Sequence, residues 1–163
     1  MGYSQALAIK EAIITVFTAS QGASGTLYAV KAVGPTGYNE TGVSPYVGVE
    51  LIKTTESFGA SHQIKIKMSF GISISVTSTT LLQDAYKARD LIIDDGNGNG
   101  IQPLLRNSIY TLLVDTNGDP LIEKCEITDT ILLSNVSESK ASAPTVFYAD
   151  ALIVFECYQG ITI

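Results

Sequence analysis

The run Asp95-Gly-Asn97-Gly-Asn99-Gly100 places an oxygen-bearing side chain at every second residue, the spacing of the first half of an EF-hand calcium loop. The second half departs from that pattern. Its twelfth position, where a bidentate glutamate is needed, is Arg106, and Pro103 interrupts the exit helix. Three glycines in six residues also make a flexible connection without any ion. A structural loop is therefore the expectation, with Asp95, Asn97 and Asn99 as the ligands if calcium binds. His62 is the only histidine. Glu56, Ser57 and Ser61 lie close to it in sequence, but a nucleophile elbow requires GxSxG and the local run is SFGASHQ. A zinc site needs three or four clustered ligands, which one histidine and two separated cysteines do not supply. Asp84, Asp90, Asp94 and Asp95 could in principle divide acid and base roles. Asp84 precedes Lys87 by three residues and Asp90 adjoins Arg89, however, so a solvated helix face is expected. The run GNGNGIQP lacks the GK[ST] ending of a phosphate-binding loop. No enzyme activity and no cofactor follow from these residues.

Cys125 and Cys157 fall inside strand-like runs without a CxxC partner and read as buried structural thiols. A disulfide between them requires that their strands be close neighbours and the compartment oxidising.

The elements that position these residues begin with the run Gln63 to Thr77, QIKIKMSFGISISVT. Ile64, Ile66, Met68, Phe70, Ile72, Ile74 and Val76 alternate with polar or small residues, so all seven share one face of a β-strand. At about 3.3 Å per residue the strand reaches roughly 45 Å, long enough to outrun a compact core. Gly71 in its middle predicts a bulge or bend that divides core sheet from a projecting arm.

Upstream, Ser4 caps a helix with the apolar stripe Ala6, Ile9, Ile13, Val16 and Phe17, ended by Gly22 and Gly25. Strands are predicted at Thr26 to Val33 and Tyr46 to Lys53, separated by the turn-rich loop Gly34 to Pro45. Downstream, Thr80 and Gln83 form a capping box for a helix through Ile93 with the stripe Leu81, Ala85, Ala88 and Ile92. IQPLLRNS suits a short helical turn. Ile109 to Val114 and Pro120 to Ile127 flank DTNGD, predicting a β-hairpin turned at Asn117-Gly118. Thr130 to Leu133 continues the sheet, Ser134 to Pro144 is a serine-rich loop, and Val146 to Tyr158 is the closing strand. The expected fold class is α/β (α+β): a single domain over residues 1–163 with one mixed or antiparallel β-sheet, one long strand, a hairpin and two main flanking helices.

With 163 residues, 45% of them hydrophobic, the chain can bury a sizeable core. Charged residues make up 16%, against roughly 25% in typical soluble domains, so much of the surface is expected to face other protein. The net charge is −6, and between Thr79 and Leu133 nine acidic residues stand against four basic ones. No basic patch exists to neutralise phosphates, which disfavours a direct grip on nucleic acid. No run approaches the roughly 20 apolar residues of a membrane span, and no secretory signal is apparent, so folding in a cytoplasm is expected. On that expectation the sequons Asn39-Glu-Thr41 and Asn135-Val-Ser137 carry no glycan.

The order of elements resembles the tail terminator, or tail completion, proteins of long-tailed bacteriophages. The matching stretches are Tyr46 to Leu51, Gln63 to Val76, LLQDAYKARDLII from Leu81 to Ile93, and ALIVFECYQ from Ala151 to Gln159. The match is one of pattern, without a diagnostic motif. It implies a lambda-type terminator fold and six copies in a ring within the virion. Such a ring caps the tail tube, joins it to the head connector, and lets DNA pass its lumen without specific binding. Lys65 and Lys67 on the polar face of the long strand, and Tyr38, Asn39 and Glu40 in the turn-rich loop, are the expected contacts between subunits. Another tube or neck component, or a small calcium- or ligand-binding domain, are the alternatives.

Overall fold

The computed structural model describes residues 2–35, 43–58, 63–137 and 146–162. Helix α1 (Gly2–Ala19) precedes strands β1 (Ala32–Pro35), β2 (Tyr46–Phe58) and β3 (Gln63–Ser78). Helices α2 (Leu82–Ile93), α3 (Ile101–Asn107) and α4 (Ile109–Leu112) follow, and then β4 (Lys124–Ser137) and β5 (Val146–Thr162). The five strands form one mixed sheet in the order β1-β2-β3-β5-β4. Only β1 and β2 run parallel; the other neighbours are antiparallel. The fold class is α+β, as the sequence predicts.

The period-2 pattern of β3 translates directly into burial. Ile66, Met68, Phe70, Ile72, Ile74 and Val76 are buried and Ile64 packs beside them. Their face joins Val47 and Val49 of β2 and Ala149, Ala151, Ile153, Phe155 and Cys157 of β5 in one core with the helices. From α1 that core takes Ala6, Ile9, Ile13 and Phe17, a stripe with helical spacing. The expected bounds of β3 hold to within one residue, whereas β2 and β5 run past their expected ends at Lys53 and Tyr158. β3 is not singular, however: β2 spans 13 residues, β4 14 and β5 17.

Gly71 is not a bulge. The β3–β5 register runs unbroken from Gln63↔Thr162 to Ser78↔Phe147. The irregularities lie in the outer strands, where Ile52 interrupts β2 and Thr128 interrupts β4. Both follow the same cross-sheet row, Leu51–Phe70–Phe155–Ile127. Extra residues there increase local twist. Gly71 instead leaves room for its neighbours, because a Cβ on it would lie 3.1 Å from Ile52 Cδ1 and 3.4 Å from Leu152 Cδ1. Nor does β3 leave the sheet as a lone arm, since β2 and β5 accompany its first residues, Ile64 opposing both Phe58 and Ile161.

Several other expectations change for reasons of packing. Thr26–Ala29 is a turn in which Leu27 and Val30, three residues apart, both enter the core, so the strand shortens to β1. Helix α1 starts at Gly2, which puts Ser4 inside the helix and not at its cap. Leu81 occupies the N-cap of α2 without a side-chain cap bond, while the Thr80 hydroxyl donates to Asp84 Oδ2 at 3.0 Å. The buried stripe of α2 is accordingly Ala85, Arg89, Ile92 and Ile93, and Leu81 is exposed.

The segment Ile109 to Leu112 is helical, because Ile109 and Leu113 reach the core at a spacing of four. Of the predicted hairpin at DTNGD, only the bridge Val114↔Pro120 forms. Its turn is closed by Asp115 Oδ1, which accepts from the Asn117 and Asp119 amides at 2.8 and 3.0 Å. Antiparallel neighbours form instead at β2–β3 and β4–β5. The serine-rich loop begins later than expected, since β4 pairs with β5 through Ser137↔Val146.

Candidate functional site

Helix α3 lies against the start of β4, and between them opens a cleft of about 430 Å³. Gln102, Leu105 and Arg106 form its helical wall and residues 125–130 its strand wall. The Thr128 bulge falls inside that strand wall. A polar chain crosses the cleft: Arg106 Nη2 donates to Gln102 Oε1 at 3.2 Å, and Gln102 Nε2 donates to Thr130 Oγ1 at 2.9 Å. Cys125 is half-buried in the strand wall, and burial pushes its thiol up from the ordinary range. A thiol kept protonated is a poor nucleophile. The cleft therefore offers polar recognition and one thiol, Cys125, whose reactions are slow at neutral pH.

The Asp94–Gly100 loop is folded around Asp95. Its Oδ1 accepts from the amides of Asn97 at 2.7 Å and Asn99 at 3.1 Å, and its Oδ2 from Asn99 Nδ2 at 3.0 Å and Tyr28 Oη at 3.2 Å. The Asn97 and Asn99 bonds hold the carboxyl below its usual range. Asp95 is thus satisfied by protein donors, and Asn99 points its amide nitrogen at the carboxylate that would share its ion. Among the described residues, no three His, Cys, Asp or Glu side chains gather closely enough to hold a metal ion.

Asp84 and Asp94 also bond locally, to the Thr80 hydroxyl and the Gly96 amide. Arg89 departs from the solvated face expected for it. It is buried, with Nε 3.2 Å from Asp90 Oδ1, Nη1 donating to the Leu133 carbonyl at 3.3 Å and the guanidinium 5.0 Å from the Tyr86 ring centre. It ties α2 to β4.

The other sheet face carries a network that the sequence did not reveal. Glu156 on β5 accepts from Ser69 Oγ at 3.4 Å and lies 3.8 Å from Lys67 Nζ. The Tyr158 hydroxyl stands 3.1 Å from both Glu156 Oε2 and Glu126 Oε1. Burial and these two carboxylates push the Tyr158 phenol up to about 12. The side chains come from β3, β5 and β4, and strand alternation was the only sequence signal that they share a face. Lys67 is therefore engaged within its own chain, whereas Lys65 is exposed near the strand end. Tyr38, Asn39, Glu40 and His62 lie outside the described residues.

The sheet ends on β4, and among the described residues no strand pairs with its outer edge. Ile131, Leu132 and Leu133 are 43%, 56% and 53% exposed there, so both faces of the edge are apolar. Phe58, at the far end of β2, is 90% exposed. No helix among the described residues is long and apolar enough to cross a membrane. No protein-family model matches this chain, and no curated protein matches it.

Proposed function

We propose that this chain is a structural subunit that assembles with copies of itself into a ring, and that the ring caps a bacteriophage tail tube and joins it to the head connector. The observation that carries the assembly reading is the β4 edge with its three consecutive exposed aliphatic residues. A long apolar edge is an aggregation hazard in an isolated monomer, and a neighbouring subunit removes the hazard by covering it. Among the described residues, the opposite side of the sheet presents a second edge, where β1 covers β2 from Tyr46 to Val49 and no described strand covers the remainder. Two different edges on one sheet suit a head-to-tail contact, which closes into a ring when the rotation permits. Six copies, the tube and the connector come from the resemblance of element order to tail terminators. A net charge of −6 agrees with a lumen that passes DNA without gripping it.

Light scattering and negative-stain electron microscopy on the full chain test this reading, alone and with candidate tube protein. Rings of uniform subunit number are expected, and I131K/L133K should dissociate them while keeping the native circular dichroism. A monomer at every concentration that also ignores tube protein would overturn the proposal. Stacked tubes formed without tube protein would move the assignment to a tube component.

A further inference from the structure

We propose that Cys125 and Cys157 form a modification site, a cross-strand dithiol that a small-molecule disulfide entering the α3–β4 cleft converts to an intramolecular disulfide. The two residues are direct partners in the β4–β5 ladder, and they are the chain's only cysteines. Directly opposed residues of antiparallel strands project to the same face, with Cα atoms about 4.5–5.5 Å apart. A disulfide spans Cα separations of about 4.4–6.8 Å, so the bond can close without moving the strands apart.

Access fixes the order of events. Cys125 lines the cleft, whereas Cys157 is fully buried between Cys125 on β4 and Met68 on β3. Cys125 gives up its proton to solvent and its thiolate attacks one sulfur of the oxidant, for which glutathione disulfide is the probe. One glutathione leaves as thiolate and a mixed disulfide remains on Cys125. Cys157 then loses its proton and attacks Cys125 Sγ, expelling the second glutathione. Two protein thiols are oxidised, and the reagent is reduced to two thiols. Burial and the neighbouring Cys125 push the Cys157 thiol well above its ordinary range, so the second step should be slow at neutral pH and quicken in alkali. The bond would staple β4 to β5 along one wall of the cleft. It is independent of the ring proposal, because both thiols belong to one subunit.

The test incubates the reduced full chain with excess glutathione disulfide in mildly alkaline buffer, followed by intact mass and thiol counting under denaturing, non-reducing conditions. Loss of two hydrogens and of both thiols, without an adduct, is expected. C157A should stop at one glutathione adduct, and C125A should react only after unfolding. A wild-type chain that accumulates stable glutathione adducts, forms disulfides between subunits, or stays reduced when folded while oxidising readily when unfolded would overturn the proposal. The wild-type readouts decide the matter even if a variant fails to fold.

Discussion

The role assigned to Gly71 can be tested by filling the space beside it. Its backbone is not in the left-handed region, so a side chain is opposed only by the atoms it meets, Ile52 Cδ1 and Cγ1 and Leu152 Cδ1 at 3.1–3.4 Å. In G71A the added methyl needs Ile52 to yield by a few tenths of an ångström. Ile52 is 48% exposed, and a rotamer adjustment of that kind costs about 0.5–1.5 kcal/mol. Against it stands about 0.4–1 kcal/mol gained by restricting the unfolded chain. The sum is a change within about 1 kcal/mol. G71V adds two further carbons to the same space and should lose about 1–3 kcal/mol by overpacking. I52A should return part of that loss, appearing in a double-mutant cycle as a coupling of about 0.5–2 kcal/mol. Urea unfolding followed by circular dichroism measures the wild type, G71A and the three variants of the cycle. A loss above about 3 kcal/mol in G71A, with no coupling between Gly71→Val and Ile52→Ala, would refute the packing account and restore a backbone role for the glycine.

Gly100 differs in kind: its φ is +120°, and a Cβ would meet the Ile93 carbonyl oxygen at 2.7 Å and Asp94 Cα at 2.9 Å. Since these are backbone atoms in addition to a φ strained for L-residues, G100A should cost at least about 3 kcal/mol and lower Tm by about 6–12 °C in calorimetry. Tyr158 makes a prediction about alkali. Its phenol is raised in the folded state, so the stability it contributes is complete below the unfolded value of about 10 and is lost as pH rises through about 12. Y158F should therefore lose less stability than the wild type across that window in parallel urea titrations, and tyrosinate absorbance should show one late-titrating group that the variant lacks. Equal alkaline losses in the two proteins would contradict the assignment.

Periodicity by itself determined a large part of this protein. Alternation from Gln63 to Thr77 identified β3 and its buried face, and the stripe from Ala6 to Phe17 identified α1, because each pattern is written in residues a few positions apart. The same logic failed where two readings fit a short apolar run. Leu27 and Val30, or Ile109 and Leu113, are strand-like in composition, yet their spacing of three and four carries both into the core through a turn or a helix. Capping chemistry was misjudged at Thr80 because the N-cap of α2 falls one residue later, on Leu81, whose apolar side chain makes no cap bond.

The candidate site was less legible than the fold. The Asp95 loop was visible as a motif, but its carboxylate is taken up by Tyr28, 67 residues away, as well as by its own turn. The α3–β4 cleft, the Glu156–Tyr158–Glu126 network and the Cys125–Cys157 pair arise only when β5 settles between β3 and β4. A sequence states which residues share a face of one strand. Which strand lies beside it, and in what register, is decided by non-local pairing, and a shift of one residue would send each of these side chains to the opposite face.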